Sequence, residues 1–213
     1  MTNEKNALYS KTFTWLGIGL LITFAVGYFF SNVVYTPALA AFAMMGVIAE
    51  LVIAFVLGLA IQKLSPTAAT VLYLVYCVLS GINFSLLFMA YKLSSIVYVF
   101  LITSVIFILF AFIGKVAKVD FRKLGTFLLF TLIAVILMSI INIFIGSSQL
   151  EFIATIVSLI VFMLYILYDM KIIENLEQVF GTEKAAVYGA FQLYIDFINL
   201  FIDILRLIGK AKD

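Results

Sequence analysis

The sequence predicts an all-α integral membrane protein with seven transmembrane helices. Hydrophobic residues make up 66% of the 213-residue chain and charged residues only 11%, whereas about 25% of a soluble domain is charged. Because a single soluble core could not bury this much apolar surface, lipid must be the solvent. Each apolar run is near the roughly 20 residues that span a hydrocarbon core. The runs lie at about 14–35, 38–61, 67–90, 96–114, 124–145, 151–170 and 186–208.

Two prolines support the predicted starts of the second and third helices. Thr36 precedes Pro37, and Ser65 precedes Pro66. Each pair combines a hydroxyl residue suited to the N-cap with proline at the first helical position. The alternating pattern of membrane barrel strands is absent, so helices are favoured. The first run exceeds the roughly 7–15 apolar residues of a signal peptide, and we interpret it as a retained span.

The distribution of Lys and Arg predicts a multi-pass protein of the cell membrane with a cytoplasmic N-terminus. The first, third and fifth loops hold only Lys92, and cytoplasmic loops are the ones enriched in basic residues. Seven spans place the C-terminus outside, although Arg206, Lys210 and Lys212 lie there. This conflict leaves open a last segment that does not cross completely. The basic residues assigned to the cytoplasmic side are Lys5, Lys11, Lys63, Lys115, Lys118, Arg122, Lys123, Lys171 and Lys184.

Several function classes are excluded by what the sequence lacks. The chain has no histidine and one cysteine, which excludes histidine-based hydrolases, an intrachain disulfide and Cys-rich metal sites. Its net charge of +2 is too small and scattered to indicate nucleic-acid binding. Walker and dinucleotide motifs are absent, and so is the GxGD context of intramembrane aspartyl proteases. We therefore expect neither an enzyme nor a resident cofactor.

The seventh run carries a stripe of polar residues. Asp196 and Asp203 are seven residues apart, so they share one helix face about 10 Å apart along the axis. Asn199 lies between them, and Arg206 follows Asp203 at a spacing that allows a structural ion pair. Such a helix cannot face lipid. It must lie centrally in the bundle, with its stripe toward a cavity or partner groups.

Asp169 and Asp196 are predicted to meet in the inner half of the membrane. Asp169 closes the run ILYD at the cytoplasmic end of the sixth span, and Asp196 lies inside the antiparallel seventh. Two carboxylates in a low-dielectric site share a proton and titrate as a pair. In a chain without histidine, this pair is the candidate proton sensor. The alternative is a solvated Asp169 that only caps a helix end.

Glu50 lies near the middle of the second span, with no charged residue within ten positions. It either forms a buried pair with Arg206 or a lysine, or it belongs to a cation path. We favour the path, because calcium binds carboxylate and carbonyl oxygens. Asn83 and Asn142 also lie inside spans, where interhelical hydrogen bonding is the expected role.

The C-terminal motifs resemble those of the transmembrane Bax inhibitor motif family. The sixth span ends in ILYD, and LYIDFINLFIDILR lies in the seventh. Weaker agreement covers most of the chain, through the seven spans, Glu50, Ser80-Gly81 and Asn142-Ile143-Phe144. The resemblance is closest to small bacterial members, which act as pH-sensitive calcium leak channels.

The resemblance implies six helices around a central polar seventh, with the di-aspartyl pH sensor at Asp169 and Asp196. It assigns calcium entry to Glu50, and weak calcium contacts to this acid and the two aspartates. The expected ion pathway contains Glu50, Asp196, Asn199 and Asp203. Some members have a latch arginine that ends the second span, where this chain reads Ala60-Ile61-Gln62-Lys63. Here Lys63 would have to replace that arginine.

The sequence thus predicts a passive, pH-gated calcium leak channel, with calcium as the permeant ion and no cofactor. Its expected partners are the lipid bilayer, calcium and protons, and not nucleic acid. Two alternatives remain open. One is a membrane interaction protein that modulates stress responses or proteases without transport, and the other is a proton-coupled cation exchanger.

Overall fold

The computed structural model describes residues 2–32, 37–117 and 124–212. Within these ranges the chain forms α-helices and one short 3₁₀ turn at Ile61–Lys63, which confirms the all-α prediction. The seven helices are α1 (Thr2–Ser31), α2 (Pro37–Ala60), α3 (Pro66–Ala90), α4 (Leu93–Val116), α5 (Gly125–Ile145), α6 (Ser148–Phe180) and α7 (Thr182–Ile208).

Six of the helices in the described ranges are long and apolar enough to cross a membrane. Many of their large apolar side chains point outward; Leu59 is 80% exposed and Phe144 is 86% exposed. An apolar surface of this extent is typical of a protein in contact with lipid. The candidate spans are Asn6–Ser31, Met45–Lys63, Pro66–Ala90, Leu93–Val116, Gly125–Ile145 and Ser148–Phe180.

The start of α3 follows the prediction. The Ser65 side chain accepts a hydrogen bond from the Ala68 backbone N–H at 3.1 Å, and Pro66 occupies the first helical position. This side chain satisfies one of the N–H groups that a helix start leaves without an intrahelical partner. The equivalent predicted cap at Thr36 lies outside the described residues.

α6 continues well beyond its predicted apolar run. It ends at Phe180 rather than near residue 170, so the acidic loop expected over 171–185 is mostly helical. Gly181 ends the helix with a φ of 74°, and its N–H donates to the Glu177 carbonyl at 2.9 Å. Glycine adopts this left-handed backbone conformation without steric cost. The predicted loop therefore reduces to a tight turn before Thr182 begins α7.

α1 likewise begins at Thr2, ahead of the predicted span at residue 14. Its polar start packs against the chain: Leu8 is fully buried, and the Tyr9 hydroxyl donates to Glu174 Oε1 at 2.7 Å. Lys11 also forms a salt bridge with Glu183. Hydropathy marks where the apolar surface ends, whereas a helix continues for as long as its side chains find packing and hydrogen-bond partners.

The chain divides into two compact units. The single transmembrane domain over 1–213 that the sequence predicts stays a prediction. The first unit comprises 1–93, 173–194 and 211–213, and the second comprises 94–172 and 195–210.

In the first unit, the start of α7 and the C-terminal tail contact the two ends of α3. The buried Lys184 ammonium donates to the carbonyls of Gln62 and Leu64 at 3.2 and 3.0 Å. At the other end, the Lys212 N–H donates to the Ala90 carbonyl at 2.9 Å. A complete crossing of the membrane by the last segment stays a prediction.

α7 is the most enclosed part of the chain that the structure describes. From Lys184 to Leu205, no residue of this helix is exposed. Its aspartates are buried with its apolar residues, as a polar stripe in lipid requires. This burial agrees with a helix shielded from lipid.

Candidate functional site

Asp169 and Asp196 meet in the second unit. Their side chains hydrogen-bond to each other, and they are only 2% and 3% exposed. An ionised carboxylate can only accept hydrogen bonds, so a hydrogen bond between the two carboxyls requires that one of them carries a proton. The structure therefore brings the two predicted residues together, and it excludes the alternative in which Asp169 is solvated at a helix end.

The surroundings of the pair supply no compensating positive charge within the described ranges. The ionisable side chains near the pair are tyrosines. Tyr165 lies near both aspartates, and Tyr168 lies near Asp169. One oxygen of each carboxyl, Asp169 Oδ1 and Asp196 Oδ2, has no hydrogen-bond partner. Buried acids without a cation favour the proton-bearing state, because an isolated buried charge is costly. The site is thus suited to hold a proton.

Close packing of helices holds Asp169 in place. A Cβ atom added to Gly114 of α4 would lie 2.9 Å from the Met170 Cβ and 3.1 Å from the Leu167 Cα. One added to Gly125 of α5 would lie 2.7 Å from the Tyr168 ring. These glycines allow α4 and α5 to approach the stretch of α6 that carries Asp169. Larger residues there would push α6 away, because packed interiors leave little room for extra atoms.

Glu50 occupies a different kind of site, in the first unit. The Asn83 amide donates to Glu50 Oε2 at 2.8 Å, and the Ser80 hydroxyl lies near this carboxyl. The predicted interhelical role of Asn83 is therefore confirmed. The groups beside Glu50 are therefore neutral side chains of α3, and not the Arg206 or lysine partner that the sequence left open. Glu50 Oε1 remains buried without a hydrogen-bond partner.

Asp203 is 4% exposed in the second unit, and the Ser158 hydroxyl lies near its carboxyl. Arg206 is exposed and attracts Asp203 electrostatically. The salt bridges within 4 Å among the described residues do not include this pair, contrary to the predicted ion pair. The reason is that Arg206 extends to the surface while Asp203 is buried beside Ser158.

Two asparagines bond locally. The Asn199 amide donates to the Ile195 carbonyl one turn earlier in α7, at 2.8 Å. Asn142 Oδ1 accepts the Ser147 N–H at 2.9 Å, just after α5 ends. The expected interhelical bond of Asn142 is thus replaced by a cap, because the residue lies in the last turn of α5, where carbonyls and turn N–H groups need partners.

Lys63 is exposed at the end of the 3₁₀ turn, and its role as a latch stays a prediction. The sequence analysis missed Ser158, which lies near Asp203. It named Lys184 and Ser80 without their contacts, which are with the backbone of this same turn and with Glu50. The sequence did offer one signal for the two serines: each lies within an apolar run, one or two helical turns from another polar residue. None of the described residues form a cluster of three or more acidic, histidine or cysteine side chains suited to a metal ion.

Comparison with known proteins identifies the family. The model of the family described as "Inhibitor of apoptosis-promoting Bax1" matches residues 5–213. The chain belongs to this Bax inhibitor family. That match spans nearly the whole sequence, so it includes both the Asp169–Asp196 pair and Glu50.

Similar proteins occur in distant bacteria. The inner membrane protein YbhL of Escherichia coli (strain K12) is 31% identical, with 95% of this chain and 91% of that protein covered. A protein of Deinococcus radiodurans is also 31% identical, over 100% and 96% of the two chains. A membrane protein of Streptococcus pyogenes serotype M1 is 30% identical, over 96% and 93%. Together with the six apolar helices, these relatives identify the chain as a membrane protein of the family.

Proposed function

We propose that the chain is a pH-sensitive calcium leak channel whose proton sensor is the Asp169–Asp196 pair. The observation that carries the proposal is the hydrogen bond between two buried carboxyls with no cation beside them. This bond requires a proton, and loss of the proton leaves two negative charges in contact. Two helices held together by the proton would then repel. A change in pH is thereby converted into a change in helix packing.

The proposed ion path uses acids at different positions along the helices. Glu50 in the first unit and Asp196, Asn199 and Asp203 in the second are its candidate residues, and calcium is their substrate rather than a resident ligand. Passive conduction needs several weak sites, so that an ion can leave as well as enter. Acids that lie beside the neutral side chains of Asn83, Ser80 or Ser158 fit weak binding. The proposed orientation has a cytoplasmic N-terminus, from the distribution of basic residues.

Calcium uptake into liposomes, followed with an entrapped fluorescent indicator over a pH series, tests this function. The wild-type chain should give calcium flux that varies with pH. Asp169→Asn and Asp196→Asn should each flatten the variation, because an amide can donate to the remaining carboxylate without a titrating proton. Asp203→Asn is the matched control, since it removes an acid from α7 outside the pair. It should change the size of the flux, and the part of the pH dependence that the pair supplies should remain.

Each outcome distinguishes the candidate functions. The absence of flux at every pH from well-folded protein would contradict the channel and favour a membrane interaction protein. Flux that strictly requires an imposed proton gradient would favour proton-coupled exchange. Unchanged pH dependence in both pair variants would refute the sensor while leaving a leak intact.

A further inference from the structure

A cavity of about 430 Å³ lies in the second unit at the ends of three helices. Asn142 and Ile143 line it from the last turn of α5, and Glu151 lines it from the start of α6. Ser158 of α6 and the α7 residues Asp203 and Arg206 complete its polar wall. Its volume falls within the roughly 300–1,000 Å³ typical of small-molecule sites. It is much larger than a bare ion requires.

An unsatisfied group lies in the wall of this cavity. Asp203 is 4% exposed and lines the cavity, yet its buried Oδ2 atom has no hydrogen-bond partner among the described residues. Buried polar atoms are normally paired, and an unpaired one destabilises the folded chain. A donor supplied by a ligand would remove this penalty. The wall of the cavity thus holds an acceptor to which the protein itself supplies no donor.

The charges around the cavity favour a ligand with both signs. Asp203 and Glu151 present carboxyls, while Arg206 presents a guanidinium. Asn142 Oδ1 is already bonded to the Ser147 N–H, so its amide N–H groups remain as donors. An ammonium group donates three hydrogen bonds, and arginine binds phosphate through paired N–H donors. A lone metal ion fits less well, because the guanidinium repels it and three clustered acids are lacking among the described residues.

The mouth of the cavity is apolar and faces outward. Ile143 lines the cavity and is 78% exposed, and its neighbours Phe144 and Ile145 are also exposed. These residues end α5, one of the helices apolar enough to cross a membrane. A ligand with a charged headgroup and an apolar tail would bind the polar wall with its headgroup and cover Ile143 with its tail.

We propose that this cavity binds the aminophosphate headgroup of a membrane phospholipid that carries a primary amine, as phosphatidylethanolamine does. The ammonium donates to Asp203 Oδ2 and Glu151, and the phosphate accepts from Arg206 and the Asn142 amide. The acyl chains leave across Ile143 and its exposed neighbours. This lipid site shares Asp203 with the proposed ion path, but it is separate from the proton-sharing pair and does not depend on calcium conduction.

Native mass spectrometry of the purified full chain tests the site. The protein is delipidated in detergent and exposed to equal amounts of phosphatidylethanolamine, phosphatidylcholine and phosphatidylglycerol with identical acyl chains. Phosphatidylethanolamine should be retained preferentially, because only its headgroup combines N–H donors with a phosphate. Equal retention of the three lipids by the wild-type protein would overturn the proposal, and this arm requires no variant.

Variants locate the binding. Asp203→Asn should weaken phosphatidylethanolamine retention by at least about tenfold, since removal of one partner from a buried charged contact costs more than 1.4 kcal/mol. Arg206→Gln should weaken it by a smaller factor, because Arg206 is exposed. Lys210→Gln is the matched control for Arg206→Gln, because Lys210 is an exposed cation at the same end of α7 that does not line the cavity. Full retention by Asp203→Asn, or an equal loss in Lys210→Gln, would refute the assignment.

A competition arm separates the lipid from the free headgroup. Soluble phosphoethanolamine should displace the lipid only at a concentration at least about tenfold higher than that of short-chain phosphatidylethanolamine, because it lacks the contact with Ile143. Equal displacement would contradict the lipid and assign the cavity to a soluble aminophosphate. Calcium flux in liposomes made without phosphatidylethanolamine tests the proposed channel function separately from lipid binding.

Discussion

The buried acids of the two units have opposite kinds of partner. Glu50 in the first unit accepts a hydrogen bond from a neutral donor, the Asn83 amide. Asp169 and Asp196 in the second unit have each other. An amide N–H can donate to a carboxyl group in either protonation state, whereas two touching carboxyls can bond to each other only through a proton. Placing an acid in an apolar helix therefore does not by itself make a proton sensor; the partner decides.

The largest expected effect is the loss of one member of the acid pair. Asp169→Ala should lower the free energy of unfolding by about 2–4 kcal/mol, because a strong buried hydrogen bond is lost and a void is left. Asp169→Asn should cost less than half as much, since its amide still donates to Asp196. Unfolding in mixed micelles, followed by circular dichroism, measures both. Equal losses in the two variants would show that the hydrogen bond contributes little.

The corresponding change at the neutral-donor site is Asn83→Ala. It removes the amide that donates to Glu50 Oε2 and should cost about 1–3 kcal/mol, the penalty for an unsatisfied buried acceptor. The same unfolding assay applies. Glu50→Gln combined with Asn83→Ala should recover part of the loss, because an uncharged acceptor is cheaper to bury. No recovery in the double variant would argue that Asn83 acts through packing alone.

Replacing Lys184 tests a third kind of interaction, in which a buried cation donates hydrogen bonds to backbone carbonyls. Lys184→Met should destabilise the chain by about 1–2 kcal/mol, because it removes two hydrogen bonds to the turn after α2. Lys63→Met in the same turn is the control and should stay within about 0.5 kcal/mol, as exposed substitutions do. Similar losses of unfolding free energy in the two variants would contradict a structural role for Lys184.

The last effect is a slope with pH. The folded pair retains a proton that the unfolded chain releases, so unfolding free energy should fall as pH rises, by at most about 1.4 kcal/mol per pH unit. Asp196→Asn should reduce this slope, because the amide supplies its N–H at every pH. Unfolding curves at about pH 5 and pH 8 give the comparison, and a slope equal in wild type and Asp196→Asn would contradict the shared proton.

The proximity of Asp169 and Asp196 was predictable from their positions, because consecutive membrane helices run antiparallel. The groups that contact the buried acids were harder to predict from the sequence. Asn83 was expected to bond across helices, yet nothing in its spacing selected Glu50 over other polar groups. Ser158 was missed, and Ser80 and Lys184 were named without these contacts, because only the folded chain brings them to their partners. The predicted Asp203–Arg206 ion pair had the right helical spacing, but side-chain direction separates the two groups.

The sequence by itself determined the helical class, the seven apolar segments and the polar seventh helix, because these follow from local hydropathy and from the cost of charge in lipid. It also determined the cap at Ser65, a local interaction over three residues. Only the tertiary structure decided that α6 continues to Phe180, that Asp169 shares a hydrogen bond, and that Asp203 lines a cavity. These features depend on which helices pack together, and packing partners far apart in sequence leave no mark on the local pattern.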